Sequence, residues 1–430
     1  MLQVQPVRHA SANMSWASSR LAALPLAAAY LAVPLATALV RRMGPEPAVS
    51  PFLPWLLLAG LGTVWAMLFR RSGVRVKKRF VFEVFAFLAL AVMLYLRQDV
   101  FLMQIELALP LIVEAAPAWV LGFCLMWAMT FGVPDRAAFQ RYGAALGLLC
   151  IADLTAGIVL QQAATAQRWL GDPDVLAGLL LVALCAGLRP GENDGGAAEP
   201  DQGRPSWRAM ILLGLAACLS RTGLFGAAWI YLFFGRGSRT ARVLTALALF
   251  LLMAATFLAP LSRPGGMHYL DYWLWAKSVE LFFREPGLLF TGVHFGLALP
   301  FAIPQELAPI WERLTGSPEQ LGVQLAQIGP FWLRFILGWG ALVPLAGLAG
   351  LFGLLFRRMT RMGAGLAAVL FAMGISTPLF HDPGLGVSLG LAFILALSAP
   401  KPRPEIESAT HGPDAEDATD PARQWDMRPL

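Results

Sequence analysis

The sequence predicts an all-α polytopic membrane protein with about 12 transmembrane helices. Hydrophobic residues make up 57% of the 430 residues and charged residues only 14%, whereas a soluble domain has roughly 25% charged residues. The mean hydropathy is +0.61, so a water-facing surface could not cover this much apolar side chain. The composition therefore excludes a soluble enzyme, a fibrous protein and a disulfide scaffold.

The net charge of +6 comes from basic residues that lie in short loops between apolar runs. Lysine and arginine at such places orient membrane spans, so the charge does not indicate a nucleic-acid partner. The five histidines are scattered along the chain, and neither a metal site nor a cofactor is predicted. The cysteines lie within apolar runs and are predicted to be small packing residues; they are Cys124, Cys150, Cys185 and Cys218.

The loop at residues 70–79 sets the predicted orientation, because it carries six basic residues and no acidic one. Cytoplasmic loops are rich in lysine and arginine, so this loop and the amino terminus are placed in the cytoplasm. Residues 99–116 are interpreted as an irregular or interfacial piece. The predicted spans are residues 21–40, 52–69, 80–96, 117–133, 142–160, 175–188, a stretch at 210–234, 243–260, 331–356, 363–380 and 385–398.

The stretch at residues 210–234 carries Ser220-Arg221-Thr222-Gly223 near its middle and has basic loops on both sides. If both flanks are cytoplasmic, the stretch is a hairpin of two short arms with Arg221 at the outer turn. The alternative is one long helix with Arg221 in mid-membrane. In either arrangement Arg221 is costly at membrane depth, which makes it a candidate functional residue.

Residues 261–329 form the longest predicted loop between spans, and the topology places it outside the cytoplasm. The domain division is therefore a transmembrane domain at 1–399, with this extracytoplasmic loop inserted, and a disordered cytoplasmic tail at 400–430. The loop combines aromatic residues such as Tyr269 and Trp273 with carboxylates and arginines. Such a mixture suits sugar recognition, and it also suits an interfacial aromatic belt.

Arg221 and Arg168 are the arginines that the topology places near the outer membrane face. A guanidinium at that depth stays charged and binds phosphate oxygens bidentately, and a lipid-linked diphosphate lies there. The alternative for Arg221 is an ion pair with an intramembrane acid, for which Asp153 and Glu114 are candidates. The alternative for Arg168 is an ordinary loop residue.

Three short segments resemble the O-antigen polymerase and O-antigen ligase superfamily, of the exopolysaccharide polymerase type. Ser220-Arg221 resembles its Ser-Arg signature, and residues 168–177 resemble its Arg-x-x-Gly…Pro-Asn-x-x-Ala segment, with Asp174 where Asn is usual. Residues 273–296 resemble its Trp-x-x-Ala…Pro-x-x-Gly-x-Gly run. The likeness covers roughly residues 134–398 and rests on the order of the segments relative to the spans. It implies a GT-C-like architecture with one large outer loop.

Two departures from the family pattern bear on mechanism. Tyr269 stands where the family has an arginine before Trp273, with His268 beside it and Arg263 further back. The family's ligases carry a histidine just before the next span, whereas residues 327–331 contain none. His294 also stands in the place of a family glycine. The missing histidine favours a polymerase over a ligase and leaves the general base unassigned.

The resemblance implies glycosyl transfer at the outer face of the bacterial inner membrane. An acceptor hydroxyl attacks the anomeric carbon of a glycan on undecaprenyl diphosphate, with no metal or cofactor required when arginines neutralise the leaving diphosphate. The implied catalytic residues are Arg221 on the diphosphate and His268 or Asp271 as base; the implied substrate-binding residues are Arg168, Arg263, Tyr269, Trp273 and His294.

Other functions stay open from the sequence. The chain would extend repeat units as a polymerase, or transfer a finished glycan to lipid A core or protein as a ligase. A transporter or flippase of lipid-linked sugars, and an inert assembly subunit, are alternatives from other classes. The partners implied are the lipid-linked oligosaccharide, the glycan acceptor and the lipid bilayer. The sequence leaves open whether a protein that regulates glycan chain length also binds the cytoplasmic tail.

Overall fold

The computed structural model describes residues 21–43, 53–72, 114–159, 169–188, 205–235, 238–258, 267–293, 298–315, 322–357 and 360–398. Within these ranges the chain is helical, apart from turns, connecting segments and one antiparallel bridge between Leu299 and Val323. Several predicted segments lie outside the described residues: the span at 80–96, most of the irregular piece at 99–116, most of the polar segment at 189–208 and the tail at 400–430.

Within the described part of the chain, α1, α4 and α8 are long and apolar enough to cross a membrane, and seven further apolar helices are shorter. The predicted class of helical membrane protein is supported to this extent, and the count of 12 spans stays a prediction. The helices are α1 (Leu24–Ala27, continued by the π-helical turn Ala28–Ala32 and by Val33–Met43), α2 (Leu53–Ser72), α3 (Ala116–Phe131), α4 (Arg136–Val159), α5 (Pro173–Ala186), α6 (Pro205–Cys218), α7 (Arg221–Phe234), α8 (Arg239–Leu258), α9 (Met267–Arg284), α10 (Leu288–Thr291), α11 (Ala308–Thr315), α12 (Phe331–Trp339), α13 (Leu342–Arg357), α14 (Arg361–Gly374) and α15 (Pro383–Ser398).

The stretch at residues 210–234 folds as two helices, α6 and α7, and the alternative of one long helix is wrong. Leu219 adopts a φ of 54° between them. The Ser220 side chain then accepts a hydrogen bond from Gly223 N at 3.0 Å and caps α7. Each helix has 14 residues, about 21 Å of length. The break places Arg221 in the first turn of α7, as the hairpin alternative requires.

Helix α5 is the centre of the bundle, and all residues from Leu176 to Ala186 are buried. Its sequence is apolar on every side, which is typical of a helix surrounded by others. Glycines allow the neighbouring helices to approach closely. A Cβ atom on Gly147 of α4 would lie 2.4 Å from Met210 O of α6, and one on Gly223 of α7 would lie 2.5 Å from Cβ of Ala177. All four cysteines are buried in this packing and form no disulfide bond, as predicted.

The segment predicted as a single span at 331–356 is divided into α12 and α13. Gly340 separates them with a φ of 71°, and a Cβ atom there would lie 2.4 Å from Phe290 O. Glycine is the residue that tolerates this conformation at no steric cost. The correction matters because α12 has only 9 residues, too few to cross a bilayer.

The predicted outer loop contains a folded unit, which we call the α9 subdomain (residues 267–293, 298–315 and 322–339). It has a hydrophobic core separate from that of the bundle. One side of α9 contributes Leu270, Leu274 and Leu281, and Trp311 of α11 is fully buried among them. Leu333 and Leu337 bring α12 into the same core, so α12 belongs to the subdomain.

Alternating helix directions gather several helix ends at one end of the bundle, which we call the Ser220 end. Here α5, α7 and α15 begin and α14 ends. Side-chain contacts between Asp174 and Ser220, and between Thr222 and Ser376, tie these ends together. The end of α1 reaches the same place, because Arg41 interacts electrostatically with Asp172.

Candidate functional site

Two of the segments that carry the family resemblance meet at the Ser220 end through side-chain hydrogen bonds. Ser220 Oγ donates a short hydrogen bond to Asp174 Oδ1, and Thr222 Oγ1 donates to the same oxygen at 3.4 Å. Ser376 Oγ donates to Thr222 Oγ1 at 3.2 Å. Asp174 and Ser220 are buried, whereas Thr222 and Ser376 are half-buried. The contacts join residues from three separate parts of the chain into one polar cluster.

Arg221 lies beside this cluster and turns its side chain towards the end of α8. Nε donates to Thr256 Oγ1 at 3.2 Å, and Nη2 donates to Thr256 O at 2.8 Å. The guanidinium carbon lies 4.0 Å from the ring centroid of Phe257, a cation–π arrangement. Among the described residues Arg221 forms no ion pair, and the Asp174 charge acts on it at longer range. A half-buried guanidinium held in this way can bind an anion through Nη1.

The acids considered as partners for Arg221 interact with other cations. Arg334 donates to Glu114 through Nε, at 3.1 and 2.9 Å, and through Nη2, at 2.6 Å. Both side chains are buried, and His381 Nε2 lies 3.5 Å from Glu114 Oε2. Asp153 interacts electrostatically with Arg41. The sequence analysis did not single out Arg334 or His381, because nothing in their local pattern marks them as partners of Glu114.

Arg41 and Arg42 are further cations at the Ser220 end that the sequence analysis treated only as residues flanking a span. The Arg42 guanidinium lies 6.0 Å from the ring centroid of Trp169. Arg41 interacts electrostatically with Asp172 as well as Asp153. The signal that could have found them is the topology, since an odd number of spans from the amino terminus places both arginines with the outer loops.

Three helix N-termini point into the same end of the bundle, each with a capping side chain. Asp172 Oδ1 accepts from Asp174 N at 2.8 Å and caps α5, and Ser220 caps α7. Asp382 Oδ1 accepts from Leu385 N at 2.8 Å and caps α15. Carboxylates already meet the positive ends of α5 and α15, whereas a neutral hydroxyl caps α7, next to Arg221.

Helix α9 carries two of the predicted catalytic residues and contacts the Ser220 end. Trp275 Nε1 donates to Ile375 O at 3.3 Å, directly next to Ser376. Asp271 lies one helical turn before Trp275 on the same flank of α9. The backbone of His268 belongs to the first turn of α9, and its side chain lies outside the described residues. Asp271 is therefore the predicted base that the fold brings towards the Ser220 end.

The predicted sugar-binding residues on α9 have different surroundings. Tyr269 is 69% exposed, which leaves its ring free to stack on a ligand. Trp273 is half-buried and packs edge-on against Phe301, with ring centroids 6.2 Å apart, so part of its ring serves the α9 subdomain core. Three other predicted residues lie outside the described residues: Arg168, Arg263 and His294.

Glu280 is the centre of a small ionic network on the exposed side of α9. Lys277 Nζ donates to Glu280 Oε2 at 2.7 Å, and Arg284 also donates to this carboxylate. The hydrogen bond from Lys277, with help from Arg284, lowers the pKa of Glu280 below its usual range. A carboxylate with a lowered pKa is a weak base, so Glu280 is a poor candidate for proton abstraction.

An apolar groove of about 490 Å³ lies between α7, α12 and α14 and begins one helical turn from Thr222 and Ser376. Phe225 and Trp229 form one wall, and the stacked rings of Trp332 and Phe371, 5.6 Å apart, form another. Ile375 lines the end that adjoins Ser376. The groove therefore lies close to the polar cluster, an arrangement that suits a ligand with a polar head and an apolar chain.

No family model, no curated protein and no solved structure matches this chain. Among the described residues, no group of three or more His, Cys, Asp or Glu side chains could hold a metal ion. The function must therefore be argued from the polar cluster, Arg221 and the groove.

Proposed function

We propose that this chain is a membrane glycosyltransferase that extends lipid-linked oligosaccharides. It transfers the glycan of a polyprenyl-diphosphate-linked donor to an acceptor hydroxyl at the outer face of the bacterial inner membrane. The observation that carries the proposal is the contact between Ser220 and Asp174. These residues come from two of the segments that resemble O-antigen polymerases and ligases, and they are 46 positions apart in the chain.

Arg221 and the N-terminus of α7 suit the diphosphate of such a donor. Arg221 forms no ion pair among the described residues, and its guanidinium is already oriented by Thr256. The N-terminus of α7, which is capped by the neutral Ser220 hydroxyl, adds positive potential beside Arg221. A guanidinium fixed in advance stabilises charge that develops on a leaving diphosphate, which is the role proposed for Arg221.

The groove between α7, α12 and α14 suits the apolar chain of the donor. Phe225 and Ile375 begin the groove next to the Thr222–Ser376 hydrogen bond. A polyprenyl chain in this groove would therefore bring its diphosphate to the polar cluster. Helix α9 contacts the cluster end of the groove through Trp275 and Ile375, and we assign its Asp271 to the acceptor. In the topology of the sequence analysis, this end of the bundle is extracytoplasmic.

The test uses purified protein in detergent with a lipid-linked oligosaccharide, and products are separated by chain length. Longer lipid-linked glycans are expected and would establish a polymerase. Transfer to added lipid A core or protein, with no lengthening of the donor, would replace the polymerase by a ligase. If no new glycosidic bond forms, the glycosyltransferase proposal is overturned, and a transporter of lipid-linked sugars or an inert subunit takes its place.

A further inference from the structure

A directed chain of hydroxyl groups runs through the polar cluster and ends on a carboxylate. Ser376 Oγ donates to Thr222 Oγ1 at 3.2 Å, and Thr222 Oγ1 donates to Asp174 Oδ1 at 3.4 Å. Ser220 Oγ donates to the same carboxylate oxygen. These three hydroxyls thus connect Ser376 to Asp174, and Thr222 Oγ1 also lies 3.3 Å from Ser220 Oγ. Ser376 is at the open end of the chain.

The chain of hydroxyl groups has a buried inner part and a half-buried outer part. Asp174 and Ser220 are 6% and 1% exposed, whereas Thr222 and Ser376 are half-buried. A substrate that enters between α9 and the bundle would meet Ser376, next to Ile375 where Trp275 binds. The hydrogen bonds of Ser376 and Thr222 connect it from there to the carboxylate of Asp174.

The carboxylate of Asp174 suggests that this chain of hydroxyl groups does more than hold helices together. Asparagine would accept the same hydrogen bonds from Ser220 and Thr222 through its carbonyl oxygen, so packing alone does not require a carboxylate. The difference between the two residues is that a carboxylate can take up a proton.

We propose that Asp174 receives the proton of the acceptor hydroxyl through Thr222 and Ser376 during glycosyl transfer. The acceptor oxygen forms a bond to the anomeric carbon, and the bond from that carbon to the diphosphate oxygen breaks, with its electron pair leaving on the diphosphate. The acceptor proton moves to Ser376 Oγ, the Ser376 proton moves to Thr222 Oγ1, and the Thr222 proton moves to Asp174. The protonated Asp174 then returns its proton through the same hydroxyls to the departing diphosphate or to water.

This inference rests on the proposed function and assigns the base that the sequence left between His268 and Asp271. Asp174 and Thr222 act through Ser376 and are positioning residues, whereas Ser376 meets the acceptor. Charged groups near Asp174 include Arg221 on α7 and Asp172, whose carboxylate accepts a hydrogen bond from Asp174 N. Their fields stay the same in a Thr222 variant, which makes Thr222 the sharpest place to test the chain.

The experiment compares Thr222→Val with Thr222→Ser in the full-length protein, in the oligosaccharide extension assay. Valine keeps the shape of threonine and removes the hydroxyl, whereas serine keeps the hydroxyl and removes only a methyl group. Thr222→Val is expected to lower kcat about 100-fold with the donor KM changed less than about twofold, since general acid–base catalysis contributes this much. Thr222→Ser is expected to keep most of the wild-type kcat. Thr155→Val on α4, an exposed threonine bonded only to its own helix, is the matched control.

Asp174→Asn provides a second, independent variant that keeps the hydrogen-bond acceptor. It is expected to lower kcat as Thr222→Val does, with the KM for the donor unchanged. Wild-type kcat in either Thr222→Val or Asp174→Asn overturns the inference while leaving the glycosyltransferase in place. Equal losses in Thr222→Val and Thr222→Ser also overturn it, because a structural role would not depend on the hydroxyl. Absence of glycosidic bond formation by the wild-type protein overturns the proposed function itself.

Discussion

Arg334 donates three hydrogen bonds to the carboxylate of Glu114, although the two residues are 220 positions apart. Glu114 precedes α3 of the bundle, whereas Arg334 is on α12, whose Leu333 and Leu337 belong to the core of the α9 subdomain. The ion pair therefore fastens the α9 subdomain to the bundle. His381, between α14 and α15, lies against the same carboxylate.

Breaking this pair on one side should destabilise the protein strongly. Arg334→Met is expected to cost about 3–5 kcal/mol, because it leaves the Glu114 carboxylate buried without its partner. Adding Glu114→Leu to Arg334→Met should recover most of the lost stability, since the double variant has no buried charge that needs a partner. The measurement is the free energy of unfolding in detergent, and Lys277→Met is the control. The exposed Lys277–Glu280 pair should contribute little, because water screens the attraction between its charges. If the double variant is as unstable as Arg334→Met, the ion pair is not the cause.

Replacing Arg221 should remove glycan extension without unfolding the protein. Arg221→Ala and Arg221→Lys are both expected to lower kcat about 100- to 1,000-fold, because lysine cannot bind Thr256 through two nitrogens and present a third to the diphosphate. Arg361→Ala, at the exposed start of α14, is the control. A cation at a helix N-terminus is unfavourable, so this variant should be active and no less stable. Wild-type activity in Arg221→Ala would remove the diphosphate role.

Filling the groove should weaken binding of the long lipid and spare the chemistry. Ala372→Trp places an indole in the groove and is expected to raise the KM for a long-chain polyprenyl donor about tenfold, or ~1.4 kcal/mol. A donor with a short prenyl chain should be unaffected. Leu251→Trp on the exposed side of α8 is the control. Equal effects on the two donors would mean that the groove does not hold the chain.

Two glycines of α4 should respond oppositely to the same substitution. Gly147→Ala is expected to destabilise the protein by about 1–3 kcal/mol, because the new Cβ would meet Met210 O of α6. Gly157→Ala has no atom within 4 Å of the added Cβ and should be neutral or stabilising by up to about 1 kcal/mol. Thermal unfolding in detergent compares them. A neutral Gly147→Ala would show that α4 and α6 can separate without cost.

Composition and periodicity were enough to predict the helical membrane class and several helix positions. The apolar run at 243–260 corresponds to α8, and a break near Arg221 was one of the two alternatives that the polar Ser-Arg-Thr-Gly insertion left open. The run at 331–356 was predicted as one span, because a single Gly340 with positive φ leaves no mark in hydropathy. The α9 subdomain was predicted only as a loop, since its core residues are scattered over about 70 positions.

The sequence by itself determined that the helices of this protein need an apolar surrounding, because burial of apolar surface depends on composition and on short-range pattern. It also identified Arg221 as a charged residue within an apolar stretch, where a charge is energetically unfavourable. Only the tertiary structure decided which groups share a site. Asp174, Thr222 and Ser376 meet because α5 and α7 begin where α14 ends, and Glu114 binds Arg334 because α12 folds back onto the bundle. Hydrogen bonds and ion pairs act over a few ångströms in space, and the separation of two residues in the sequence does not give the distance between their side chains.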